Sequence, residues 1–268
     1  MFSFSNIFFA NVLFLCFITN ILLGNENVDT RLSVGVETRY FKNPPKWARQ
    51  STDNLQTSVE GFIEVFYSLN SSNSITINPF FRKDGVDENR DLLDIREGYW
   101  LFESDPIEVL VGFNTVFWGV TESINLVDVI NQTDTGDFSG NQKLGQPMIN
   151  LQFLPKYGTF SLYLLPYFRE RSFSGSKGRF RGLTEIEKDN SEFESTESLH
   201  NIDVALRYSH YFANVDFGVS YFKGTSREPL IFPNTATGLF PYYEQINQIG
   251  LDFQYTYVDL LFKTEVIV

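Results

Sequence analysis

The chain has 268 residues, a net charge of −12, one cysteine and two histidines. An acidic balance of this size excludes the basic stripe that a nucleic-acid partner requires. One thiol excludes a disulfide framework, two imidazoles give poor support to a histidine metal centre, and no cofactor is expected.

The first apolar stretch, residues 1–24, runs through Ile7, Phe8, Phe9, Val12, Leu13, Phe14 and Leu15 and carries Cys16. It has the length of an export signal, although no Lys or Arg precedes it. Its interruption by Asn11 and Asn20 argues against a membrane-anchoring helix. The segment is expected to be removed, leaving residues 25–268 as one β domain.

From about Arg31 onward, stretches of roughly ten residues alternate apolar and polar. Val59, Ile63 and Val65 oppose Ser58, Glu60 and Glu64; Ile75 and Ile77 oppose Thr76 and Asn78. Val109 and Val111 oppose Glu108, Leu110 and Gly112; Val204 and Leu206 oppose Asp203 and Arg207; Val219 and Tyr221 oppose Asp216 and Ser220. Segment 91–103 fits worst, because Arg96, Glu97, Tyr99 and Trp100 put polar and aromatic groups on both faces. Either that strand begins outside the apolar band or Glu97 sits near an interface.

The connections have an order that a soluble sandwich does not require. Short ones at 70–73, 104–106, 155–158, 212–214 and 258–259 interleave with long ones at 42–54, 83–91, 119–145, 170–198 and 225–243. This is the grammar of an antiparallel transmembrane up-and-down β-barrel, with tight turns at one rim and long loops at the other. The abundance of Phe and Tyr, 28 and 13 residues, fits strands and membrane interfaces. The reading gives about eleven strands. Bacterial single-chain barrels have even numbers, so this one is expected to be incomplete, with further strands after Val268.

The densest local signal is residues 118–134. Val120, Ile124, Val127 and Ile130 recur at helical spacing, with Thr121 or Ser123 placed to cap a short helix. A long barrel loop of this kind either folds into the interior and narrows it or packs on its own rim. Trp118, Glu122, Asp128 and Asp134 are the candidates for a constriction.

At this point the chain resembles a family of proteobacterial outer-membrane porin-like proteins. The likeness is carried by Asp94-Ile95-Arg96-Glu97-Gly98-Tyr99-Trp100, by Trp118-Gly119-Val120-Thr121-Glu122-Ser123, by Leu144-Gly145-Gln146-Pro147-Met148 and by Leu165-Pro166-Tyr167-Phe168-Arg169-Glu170-Arg171. The resemblance implies the barrel fold and the bacterial outer membrane, reached through the periplasm. It implies no established substrate.

Charges on the polar register are the candidates for an interior wall: Glu60, Glu64, Arg82, Arg96, Glu108, Asp203, Arg207 and Asp216. Opposed charges across a passage set selectivity; the plainer alternative is wetting of the wall and ladder ion pairs. Arg169, Arg171, Lys177, Arg179 and Arg181 cluster in one loop and suggest a basic mouth for anions or lipopolysaccharide phosphates. The neighbouring Glu185, Glu187, Asp189, Glu192, Glu194 and Glu197 would offset it.

His210 belongs to the apolar register while Ser209 and Ser220 lie on the other, a poor geometry for a hydrolytic site, so no enzyme is expected. The expectation is a channel for passive or facilitated passage of small solutes. A non-conducting barrel that transfers lipid or polymer is the alternative, and an outer-membrane enzyme the third. The partners expected are outer-membrane lipid, lipopolysaccharide, the barrel-assembly machinery and small solutes.

Overall fold

The computed structural model describes residues 10–20, 26–122, 124–137, 142–234 and 238–268, the first group as backbone only. The protein is all-β, with no α-helix among the described residues. One antiparallel sheet takes its strands almost in chain order: β1 (Ala10–Asn20), β2 (Val28–Phe41), β3 (Leu55–Asn70), β4 (Asn73–Asp84), β5 (Leu92–Ser104), β6 (Ile107–Asn114), β7 (Gln146–Phe153) and β8 (Thr159–Leu165). It continues with β10 (Asp203–Phe212), β11 (Val215–Thr225), β14 (Gln245–Tyr257) and β15 (Leu260–Ile267). From Val28 onward that makes the eleven strands expected from the alternation.

The order of short and long connections is also as expected. β9 (Glu192–Phe193), β12 (Leu230–Asn234) and β13 (Gly238–Tyr243), which the alternation did not single out, form a small separate sheet within two of the long connections. The N-terminal apolar stretch contributes β1, paired with β2 from Ala10 opposite Phe41 to Asn20 opposite Arg31. That pairing satisfies the edge N–H and C=O groups of β2. Among the described residues no ladder joins β1 to β15.

The two faces are reversed relative to a soluble sheet. On β3, Ser58 is 1% exposed while Ile63 on the opposite register is 46% exposed. Val36, Ile77, Val111, Leu151, Leu206, Val219 and Leu251 repeat the exposed apolar register on other strands. Arg39, Arg82, Asn150, Asp203, Ser220 and Asp252 repeat the buried polar one. A soluble sandwich would bury the apolar register instead. Here Val59 and Ile63 are exposed and Val109 and Val204 only half-buried, so among the described residues no second protein layer covers that face.

The irregular stretch in β5 has a cause in the pairing of β4 with β5. Asn78 pairs with Glu97 and Pro79 with Ile95, so Arg96 is an extra residue in a β-bulge. Pro79 has no N–H to give to the ladder, which makes this the place where the pairing is interrupted. The bulge changes the side-chain parity. Asp94, Arg96 and Glu97 all reach the polar face, whereas a regular strand would divide them between the two.

Candidate functional site

The buried polar face is crossed by the long connection between β6 and β7, residues 115–145. Its root is held by one side chain. Asn131 Oδ1 accepts from the Val116 N–H at 2.9 Å, and Nδ2 donates to the Asn114 carbonyl at 2.8 Å and the Leu144 carbonyl at 2.9 Å. Lys143 Nζ donates to the Val116 carbonyl at 2.7 Å and pairs with Asp128. The stem then packs on an apolar floor: Trp118, Val127, Val129 and Ile130 lie against Leu110, Met148, Tyr163, Leu165, Ala205 and Phe222. The Trp118 and Tyr163 rings meet edge to face at 5.4 Å.

Each floor residue occupies the polar register of its strand. That signal was legible in the sequence, where apolar residues recur on the otherwise hydrophilic faces of β6, β7, β8, β10 and β11.

The segment is fixed at both ends of its path. Toward β4, Asp134 receives both Arg82 Nη atoms, at 2.8 and 2.9 Å. Toward β15, the Glu265 carboxylate accepts from the Val120 N–H at 2.8 Å, the Thr121 N–H at 2.9 Å and the Leu126 N–H at 2.6 Å. The helical spacing of Val120, Ile124, Val127 and Ile130 therefore does not produce a helix among the described residues. These N–H groups bind a carboxylate from a distant strand and are not available for a helical ladder. Val127 and Ile130 are buried but Ile124 is exposed. Ser123 lies outside the described residues.

Behind Asp134 lies a second buried network. Arg90 pairs with Asp84 and with Glu37 at 2.9 Å, and donates to the Gly136 carbonyl at 2.7 Å. Arg39 also pairs with Asp84, and Ser58 donates to Glu37 at 2.9 Å. Arg96 sits over the Phe80 ring at 3.5 Å. Farther along the sheet Arg207 of β10 pairs with Asp252 of β14 at 2.8 Å and lies over Trp118 at 5.3 Å. Arg227, in the connection after β11, pairs with Asp203 at 2.7 Å and donates to the Ile130 carbonyl at 3.0 Å.

All the expected wall charges share this face, but the arrangement is one of local neutralisation. Glu60 lies near Arg82 and Arg96. Arg82, Asp203 and Arg207 are consumed in ion pairs, while Glu64, Glu108 and Asp216 stand half-buried on the wall. Among the constriction candidates, Asp134 is buried and Asp128 half-buried, both paired, Trp118 belongs to the apolar floor, and Glu122 is exposed with Lys263 as its partner. Burial drives the Asp128 carboxyl above its ordinary range, opposed by Lys143, and pushes the Lys143 ammonium below its own. Sequence reasoning missed Arg227, Asp252 and Glu265, because their partners lie on other segments of the chain, and Lys143, whose partner Asp128 lies in the same connection but is brought to it only by the folded loop.

The basic cluster is not gathered at an open mouth. Arg169 pairs with Asp94 at 2.6 Å, Arg171 pairs with Glu228, and Lys177 lies 3.9 Å from Glu88. Arg179 is buried and donates to the Ser51 and Asn43 carbonyls at 3.0 and 2.6 Å. Arg181 donates to carbonyls of Ala48, Ser176, Gly182 and Leu183. These cations staple the long loops together, Arg169, Arg171 and Lys177 through carboxylates and Arg179 and Arg181 through loop carbonyls that would otherwise lack donors.

A cavity of about 700 Å³ remains at the long-loop end, bordered by Leu144, Arg169, Glu170 and Glu187. Another of about 410 Å³ lies at the short-turn end, bordered by Gly119, Val120, Arg207, Asp216 and Asp252. Among the described residues no group of three His, Cys, Asp or Glu side chains is placed to hold a metal. His210 stacks with Tyr208 at 6.5 Å and meets Phe217 edge-on at 6.2 Å, on the exposed apolar register. No protein-family model, curated protein or solved structure matches the chain.

Proposed function

We propose that the sheet is the wall of an outer-membrane β-barrel and that the protein is a porin-like channel for small solutes. The observation that carries this reading is the inversion of the faces. Apolar side chains stand exposed on strand after strand, while arginines and carboxylates are buried on the other side. Soluble monomers rarely expose contiguous apolar patches beyond a few hundred Å². Hydrocarbon is the solvent in which such a face costs nothing.

Most of the strand lengths agree with this. β2–β5, β10, β11 and β14 have between 10 and 16 residues, and a tilted transmembrane strand needs about 9–11; β6, β7, β8 and β15 are shorter, at 7 or 8 residues. On this reading segment 115–145 crosses the aqueous interior and narrows it between the two cavities.

Solutes would pass a wall whose charges are mostly paired, so size restriction outweighs net charge in setting selectivity. The test is single-channel conductance of the purified protein in planar bilayers, with and without residues 119–145. A conducting protein whose conductance rises on the deletion supports the reading; absence of conductance in both rejects it. The second reading is a closed barrel that transfers lipid or polymer. It is favoured by the packed interior, where Trp118, Val127 and Ile130 fill space a pore would leave to water. Lipid or polysaccharide co-purifying with a non-conducting protein would select it.

A further inference from the structure

Segment 115–145 is anchored unevenly along its length. Its root and stem hold through buried apolar contacts of Trp118, Val127 and Ile130, the three hydrogen bonds of Asn131, and the Asp134–Arg82 pair. The described residues of the arm, 119–122 and 124–126, have no comparable burial; Ile124 and Leu126 are both exposed.

What chiefly holds the arm is one carboxylate; beyond it Gln248 Nε2 reaches the Leu126 carbonyl only at 3.5 Å. Glu265 Oε1 accepts from the Val120 and Thr121 N–H groups, and Oε2 from the Leu126 N–H at 2.6 Å and the Val127 N–H at 3.3 Å. The Thr121 hydroxyl lies 2.8 Å from Oε1 and 2.6 Å from the Ile124 carbonyl, its single proton shared between them. The arm is shaped to receive that carboxylate. Gly119 has φ +99°, and a Cβ there would run into Glu265 and Asn125, whose amide donates to the Trp118 carbonyl. Four backbone N–H groups converging on an anion form a nest, the same device that binds external carboxylates. The neighbouring Lys263–Glu122 pair is solvent-exposed on the Glu122 side and adds little.

We propose that Glu265 is a latch, a positioning residue that holds arm 119–126 across the interior and thereby sets the width at the short-turn end. This rests on the channel reading above. Gly119 and Val120 border the cavity at that end, so release of the arm enlarges it while the stem stays in place. Hydrogen bonds to a charged acceptor are strong enough that losing even one raises the released population about tenfold.

The experiment places a spin label on an Ile124→Cys, Cys16→Ser chain in bilayers. Label mobility is compared in the parent, in Glu265→Gln, in Gly119→Ala and in the control Glu122→Gln. Glu265→Gln removes the charge and one acceptor and is expected to mobilise the label. Gly119→Ala attacks the nest from the arm and is expected to do the same, which keeps the test decisive should the first variant fail to fold. Glu122→Gln is expected to leave the label as it was. An unchanged label in a folded Glu265→Gln or Gly119→Ala protein overturns the latch. Conductance is read separately on the same samples. A mobilised label with conductance absent throughout upholds the latch and sinks the channel reading; higher conductance in the latch variants upholds both.

Discussion

Asp134 and Arg82 form a two-pronged, buried ion pair that ties the crossing segment to β4, with both contacts at 2.8–2.9 Å. Arg82 also donates to the Arg90 carbonyl at 2.9 Å, so the pair joins the network of Glu37, Asp84 and Arg90. Removing one partner strands the other charge in a dry site, at a cost of about 3–5 kcal/mol. Arg82→Met or Asp134→Leu is therefore expected to lower the denaturant midpoint sharply. The double variant should lose less than the sum of the two, because neither charge is left alone. Additive losses in a urea titration would show that the two groups do not act as a pair.

The reversed faces give a prediction from native fluorophores. Trp100 stands on the exposed register of β5, while Trp118 is buried in the apolar cluster on the opposite face. In vesicles of brominated lipid, a protein retaining only Trp100 is expected to be strongly quenched and one retaining only Trp118 weakly. Equal quenching would contradict the membrane assignment of the apolar face.

The Asp128–Lys143 pair gives a pH dependence. Burial holds Asp128 above its ordinary range, and in Lys143→Met the compensating cation is gone. The folded form then keeps a proton on Asp128 where the unfolded chain has released it. Stability of that variant is expected to fall as pH rises from the unfolded carboxylate value, about 4, through the raised folded one. Thermal melts across that window check the sign; a deficit that does not grow with pH refutes it.

Val258 adopts φ 53° in the turn between β14 and β15. A β-branched residue is strained in the left-handed region, whereas Asn and Gly tolerate it. Val258→Asn is expected to stabilise the protein by about 1 kcal/mol. A lower melting temperature would mean that the Val258 side chain makes a contact worth more than the strain it carries.

The alternation of Val59 and Ile63 against Ser58 and Glu60 was enough to read strand number, face assignment and the order of short and long turns, because strand side chains repeat every second residue. The same rule failed at Arg96, since a bulge is decided by the partner strand, here by Pro79. It failed again at residues 120–130. Helical spacing there is a local property, but the backbone donors are claimed by Glu265, more than a hundred residues later. The loop arginines looked like one basic field because they are near in sequence, yet Arg169, Arg171 and Arg179 find separate partners in space.

What the sequence determined by itself is the dyad pattern, and hence an antiparallel sheet with one apolar and one charged face. The tertiary structure decided which charges meet, that an apolar floor receives the stem of the crossing segment, and that its arm is held chiefly by the Glu265 carboxylate. The division has a physical cause. Face is set by a residue's own position along its strand, whereas ion pairs and nests are set by which segments, distant along the chain, the fold brings together.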